Sequence, residues 1–342
     1  MTLDHVSTKK AFENLDINKQ FHVYRYLWRK SGAYEILTDY PLHLDMELSG
    51  KCNFQCEDCF QNGMIEGELG LMDPALFKDI IREGVQNGLC AVKLQIRGES
   101  FLHPDIFDLI RFAKNSGVLD VQITTNGSLL NKEKIHHLLE SGIDAVIFSV
   151  DSHHQNNFKE TKAESYQKKT ENLINYLLER RKEDNRGKPW VRIRSSIANA
   201  DIDTSGQVKT YLKNTFPLAD IYIVGRLHNF SDSEDSYPDL HVNYRLDKCA
   251  YLTQRLAVFW NGDVTTCCMD YNGRFELGNV KKMSMKDIWL SEKMNHLRRR
   301  HLQGKRDTVP ICRHCHACIT PVNQKIYHDT QKRHKADLQS AC

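Results

Sequence analysis

Three cysteines, Cys52, Cys56 and Cys59, stand in a CxxxCxxC spacing just after the alternating run Leu44-Asp45-Met46-Glu47-Leu48. Thiolates bind iron–sulfur clusters and zinc, and this spacing lets three sulfurs on one short loop reach three corners of a single cubane. A [4Fe-4S] cubane has four irons, so three thiolates leave one iron open to a non-protein ligand. Open coordination positions belong to catalytic sites and closed ones to structural sites. Zinc with His43 as a fourth ligand is the competing reading, although a strand separates His43 from the loop.

A second set lies far downstream. Cys249 is followed by twelve residues, Gly262, four residues and Cys267, and later come Cys312, Cys315 and Cys318, interleaved with His314 and His316. Spacing alone leaves a second cluster and a tetrahedral zinc both open. The chain has eleven cysteines in 342 residues, no apolar run of membrane length, and no apolar signal core before Tyr40. That pattern predicts a cytosolic protein without a membrane span, whose thiols serve metals or redox chemistry more than disulfides. A net charge of +3 is too small to point to nucleic acid as a partner.

These residues need a scaffold, and from Pro41 to about Gly225 strand and helix patterns alternate, as in a parallel α/β sheet. Strands are predicted at 91–96, 121–124, 145–150, 190–197 and 220–224, with the strand before Cys52 as the first of six. Helices are predicted between them, one starting at Asp73-Pro74 and others closed by Gly117 and Gly142. Six such units make a partial (β/α)6 barrel. Its functional groups gather at the carboxyl ends of the strands, where Glu99, Asn126, Ser149, Asp151 and Arg194 fall. The predicted organisation is a helical extension over 1–40 and the partial barrel over 41–227. A loop over 228–248, a second domain over 249–320 and a polar tail over 321–342 follow. In the second domain Trp260-Asn261-Gly262-Asp263 signals a hairpin, and one helix starting at the Ser284 cap carries Ile288, Trp289 and Leu297.

The cysteine loop resembles the radical S-adenosylmethionine superfamily. That resemblance implies that the methionine moiety chelates the fourth iron and that one electron releases a 5′-deoxyadenosyl radical. The superfamily usually has an aromatic residue before the third cysteine; here it is Asp58, and the aromatic comes one place later, at Phe60. Arg97-Gly98-Glu99 looks like a variant of the Gly-Gly-Glu motif, which implies that Glu99 helps hold the amino group of S-adenosylmethionine. Asn126, Ser149 and Asp151 match positions that contact its ribose or carboxylate, and Arg194 suits a bidentate pairing with the carboxylate. The C-terminal cysteines, with Leu277-Gly278-Asn279 and Ile288-Trp289, resemble the SPASM domain and its shorter form, twitch. That implies one auxiliary [4Fe-4S] cluster on Cys249, Cys267, Cys312 and Cys315, since only Cys318 and Cys342 remain for a second.

A closed cluster beside a radical site is an electron store. The architecture looks most like the 2-deoxy-scyllo-inosamine dehydrogenases, which implies oxidation of a sugar or cyclitol carbinol, with a flavodoxin- or ferredoxin-like reductase as partner. The alternative is epimerisation or crosslinking of a ribosomally made peptide, for which Cys90, Cys268 or Cys318 is a candidate hydrogen donor. Tyr222, Arg226 and His228 are the candidate bases. A non-catalytic metal-cluster module would have no need of polar groups at several strand ends.

Overall fold

The computed structural model describes residues 3–56, 59–61, 65–150, 162–197, 202–226, 248–313 and 315. The strands are β1 (Asp4–Val6), β2 (Ile36–Thr38), β3 (His43–Met46), β4 (Ala91–Lys93), β5 (Asp120–Thr125), β6 (Ala145–Ser149), β7 (Trp190–Ile197), β8 (Ile221–Arg226), β9 (Arg255–Val258), β10 (Asp263–Thr265) and β11 (Gly278–Asn279). The helices are α1 (Thr8–Phe12), α2 (Ile17–Gly32), α3 (Pro74–Asn87), α4 (Ile106–Asn115), α5 (Lys132–Glu140), α6 (Lys162–Glu183), α7 (Ile202–Thr215), α8 (Tyr251–Gln254), α9 (Met285–Trp289), α10 (Glu292–Leu302) and α11 (Pro310–Arg313).

Strands β3 to β8 pair in chain order and all in parallel, with helices α3 to α7 as crossovers, which makes a partial (β/α)6 barrel. Alternate residues of a strand face opposite ways. Leu44, Met46, Val92, Val121, Ile123, Val146, Phe148, Val191 and Ile193 point to the helices and join Phe77, Ile81, Leu109, Leu138, Leu177 and Leu212 in one buried cluster. Each such side chain contributes about 1.5–3 kcal/mol on burial. The opposite parity is polar: Asp45, Lys93, Gln122, Thr124, Ser149, Arg192, Arg194 and Ser196 face away from the helical layer. The helices are thus fixed by one face, and the other is left for chemistry.

The C-terminal hairpin does not stand apart from this sheet. Strand β9 pairs in parallel with β3, from His43 opposite Arg255 to Met46 opposite Val258, and β10 and β11 follow antiparallel. The turn falls where the sequence marks it, and Gly262 takes a positive φ of 92° that a side chain would strain. One nine-stranded sheet, in the order β11-β10-β9-β3-β4-β5-β6-β7-β8, carries both cysteine sets.

Three local expectations differ from the structure. The predicted single helix after Ser284 is two, because Ser291 accepts from the Met294 amide and caps α10 as a new start, just as Ser284 caps α9 through Asp287. The first forty residues are helical as expected but also contribute β1, which pairs in parallel with β2. Strand β4 stops at Lys93, short of the predicted Ile96, and the chain turns into the Arg97-Gly98-Glu99 corner. No helix among the described residues is long and apolar enough to cross a membrane.

Candidate active site between two cysteine sets

Strand β3 delivers the first cysteine loop, and the end of β4 props it. Gly98 lies so close that an added Cβ would sit 2.2 Å from the Lys51 carbonyl oxygen and 2.4 Å from that of Ser49, so only glycine fits there. The Glu99 amide donates to the Lys51 carbonyl at 2.9 Å, and the Gln61 side-chain amide bridges the Gly50 and Arg97 carbonyls at 2.6 and 3.0 Å. The Cys59 amide donates to Cys56 O, closing the loop. Burial, and secondarily the Glu99 carboxylate, push the Cys52 thiol up; burial and then Cys52 do the same to Cys59. The Cys52 and Cys59 thiols, half-buried and reluctant to ionise alone, suit a cationic iron core, which deprotonates coordinating thiols outright.

Glu99 is 2% exposed, and burial, only partly offset by its donors, raises its carboxyl. Its Oε1 accepts from the Phe101 amide at 3.0 Å and Thr125 Oγ1 at 2.8 Å, and its Oε2 from the Asn126 amide at 2.8 Å. Three of about four lone-pair sites are filled, so one is left on Oε2. Asn126 in turn donates to Asn53 Oδ1 at 3.0 Å and accepts from Ser128, while Asn53 donates to Ser128 Oγ at 2.9 Å. Asn53 and Ser128 are partners that sequence reasoning missed; their only signal was adjacency to Cys52 and to the Thr-Asn-Gly turn. Ser149, at the end of β6, is the register partner of Arg194, in the middle of β7. Asp151 lies outside the described residues.

Arg97, the departure from the double-glycine pattern, is buried and fully engaged. Its guanidinium grips Glu47 with bonds of 2.5 and 2.6 Å, donates to the Tyr271 carbonyl at 3.1 Å, and stands 4.1 Å from the Phe259 ring centre. Glu47 also accepts from the Trp260 amide at 3.2 Å. Phe60, the displaced aromatic, stacks on Tyr271 with ring centres 4.9 Å apart. Glu66 completes the seam, its amide donating to Asn272 and its carboxylate pairing with Arg274 at 2.7 Å. Arg97 at the β4 corner and Phe60 in the cysteine loop, the two departures from the family patterns, therefore both make contacts with the C-terminal domain.

The second cysteine set gathers at the other end of the same sheet edge. The Cys52 loop leaves the carboxyl end of β3, whereas Cys249 precedes β9 and Cys267 follows β10, which returns antiparallel to the amino end. Cys249, Cys267, Cys312 and Cys315 lie within one another's electrostatic reach. Burial first, then the neighbouring sulfurs, raise the Cys267 and Cys312 thiols well above the ordinary range. Among the described residues no three His, Cys, Asp or Glu side chains converge on a single point. The set is held by residues the sequence did not mark. Tyr34 donates to the Cys249 carbonyl at 2.8 Å, His301 Nδ1 accepts the Cys249 amide at 3.2 Å, and Arg306 donates to the Cys312 and Cys315 carbonyls.

The remaining candidates separate cleanly. Cys90 is fully buried among Tyr24, Leu27 and Leu42, away from the polar face. Cys268 instead packs on Ile96, Ala257 and Phe259 and feels the charges of Asp45, Lys93, Arg255 and Arg194. Tyr222 is no base on that face, since its hydroxyl donates to the Phe216 carbonyl at 2.5 Å. His228, Cys318, Cys342 and the Arg226 side chain lie outside the described residues.

Comparison with known proteins agrees with this geometry. The model of the radical SAM superfamily matches residues 46–186, and that of the SPASM iron–sulfur cluster-binding domain matches residues 249–316. This chain is a radical SAM enzyme with a SPASM domain. The radical SAM domain carries a [4Fe-4S] cluster and S-adenosylmethionine, and the SPASM domain carries auxiliary iron–sulfur chemistry. The tungsten-containing aldehyde ferredoxin oxidoreductase cofactor-modifying protein of Pyrococcus furiosus is 26% identical to it over 313 residues, 80% of this chain and 86% of that one. The crystal structure of BtrN with AdoMet and 2-DOIA superposes with a TM-score of 0.56 at 19% identity, covering 80% and 92% of the two chains. That of Streptococcus suis SuiB bound to S-adenosylmethionine does so with 0.58 at 16% identity, covering 80% and 71%. At these identities the structures establish a shared radical SAM–SPASM fold.

Proposed function

We propose that this enzyme oxidises a carbinol carbon of a small sugar- or cyclitol-like molecule on the polar face between its two cysteine sets. The observation that carries this is the pairing of β9 with β3, which puts the two sets at opposite ends of one sheet edge with that face beside them. Cys52, Cys56 and Cys59 hold the radical SAM cluster, and Cys249, Cys267, Cys312 and Cys315 hold one auxiliary cluster. When bound, the first cluster with S-adenosylmethionine supplies a hydrogen-abstracting 5′-deoxyadenosyl radical, and the auxiliary cluster takes up the electron left when the substrate loses its hydroxyl proton. Glu99 offers its one remaining lone pair to the cofactor's amino group. Arg194, with no hydrogen-bond partner among the described residues, takes the carboxylate beside Ser149, and Asp151, two positions further along the sequence, is a further candidate contact. Asn126 acts through Asn53 and Ser128, fixing the loop that carries Cys52. A flavodoxin- or ferredoxin-like protein supplies the electron.

A second function, modification of a peptide, draws on one specific observation: the Cys268 thiol faces the polar side of the sheet, where a hydrogen donor to a substrate radical belongs. The test is anaerobic reconstitution with iron and sulfide counting, then assay of 5′-deoxyadenosine and of products from sugars, cyclitols and peptides. Two cubanes give about eight irons per chain. A ketone formed together with 5′-deoxyadenosine supports the oxidation; about four irons, or 5′-deoxyadenosine with an altered peptide and no ketone, overturns it.

A further inference from the structure

Around Asp45 the described residues of the polar face hold more cations than carboxylates. Asp45 is fully buried and faces two cations, Arg255 with Nη1 at 3.3 Å and Lys93 with Nζ at 3.9 Å. His43 adds a hydrogen bond at 3.2 Å, but burial lowers its pKa and keeps it neutral. Arg255 is fixed from the other side by the rings of Tyr251 and Trp28, at 4.1 and 5.2 Å. Lys93 is different. At 3.9 Å it is beyond hydrogen-bond distance of Asp45, and none of its three N–H donors has an acceptor among the described residues, although its side chain is only 20% exposed. Its register neighbour Gln122 turns its NH2 group to Asp120, and no bond from Lys93 to the Gln122 oxygen is formed among the described residues. An ammonium that still touches solvent and has no acceptor from the described residues is open to an anion, which would supply charge-assisted bonds in place of water.

We propose that Lys93, backed by Arg255, binds an anionic group of the substrate, a carboxylate or a phosphate, on the inner face of the sheet. The site rests on the proposed function in one respect, that this face is where substrate sits. An anion there accepts from Lys93 and neutralises the cation that Asp45 leaves over. Cys268 and the β7 residue Arg194 lie on the same face, so the anionic end of the substrate sits against β3, β4 and β9. The carbon to be oxidised then points toward the Cys52 loop at the strands' carboxyl ends. Lys93 is a binding residue in this arrangement and takes no part in moving the proton.

The test is calorimetric binding to the full chain, reconstituted and loaded with S-adenosylmethionine but given no reductant. The probes are glucose 6-phosphate, glucuronate and neutral glucose. At least one anion is expected to bind about tenfold or more tighter than glucose, and Lys93→Met to erase that preference while Lys93→Arg keeps most of it. Preference for the phosphate alone assigns a phosphorylated substrate, for glucuronate alone a carboxylate, and for both a site that reads charge. Equal binding of all three by the wild type, or an unchanged anion preference in a Lys93→Met protein with full iron content, overturns the proposal. If Lys93→Met does not fold, the wild-type comparison decides by itself. Because no reductant is present, failure of ketone formation with anion binding intact counts against the oxidation and not against this site.

Discussion

Replacing Arg97 by methionine tests how the two domains are joined. Arg97 and Glu47 are 6% and 0% exposed at the side chain and joined by two charge-assisted bonds, so the substitution strands a carboxylate in the interior. Removing one partner of a buried pair costs about 3–5 kcal/mol, and loss of the bond to the Tyr271 carbonyl adds to it. At about 2 °C per kcal/mol for a large chain, the melting temperature should fall by roughly 6–10 °C. Replacing both residues by methionine should recover more than half of that loss, since no buried charge remains, while the Trp260 amide loses its acceptor and the Tyr271 carbonyl its donor. The assay is anaerobic thermal unfolding of the reconstituted protein, followed by fluorescence. Arg97→Gly, which restores the double-glycine pattern, should destabilise as much as Arg97→Met. A fall under about 1 kcal/mol for Arg97→Met, or a double variant as unstable as the two single losses added, would refute the buried-pair reasoning.

Gly98→Ala should push the Cys52 loop off the β4 corner, because its new carbon has no room against the Lys51 and Ser49 carbonyls; iron content should drop by about four per chain, read by iron and sulfide counting. Trp289→Ala should cost about 3–5 kcal/mol in denaturant unfolding, since the ring is fully buried and its N–H donates to the Thr38 carbonyl at 2.7 Å. His43 is held neutral by burial, with a folded pKa below the ordinary 6.5. The unfolded chain therefore takes up its proton first, and stability is present above about 6.5 and lost as pH falls below it, by up to about 1 kcal/mol per pH unit. Urea midpoints at pH 7.5 and 5.8 should show that loss in the wild type and a smaller one in His43→Gln. Cys267→Ala should halve the iron while leaving the first cluster able to cleave S-adenosylmethionine.

Much of this was legible in the chain because it is written locally. The three-cysteine spacing, the helix starts at Asp73 and Ser284, and the period of apolar residues in β5 to β7 depend on neighbours a few positions away. The roles of Arg97 and Phe60 were not legible, because their partners Glu47 and Tyr271 come from other elements, 50 and 211 positions distant by the difference 271 − 60. The same holds for Lys93, whose local pattern is an ordinary strand lysine, and for Cys268 against Cys90, two thiols alike in sequence that tertiary packing places in separate clusters.

The sequence by itself determined the chemistry available: which thiols come in sets, and which strand ends are polar. Only the tertiary structure decided that β9 joins β3, so that both sets share one sheet edge, and that Lys93 sits on the polar face without acceptors among the described residues. The physical reason is that strand pairing and charge balance are settled between segments far apart in the chain, where a backbone hydrogen bond or a counter-ion carries no trace in the residues on either side.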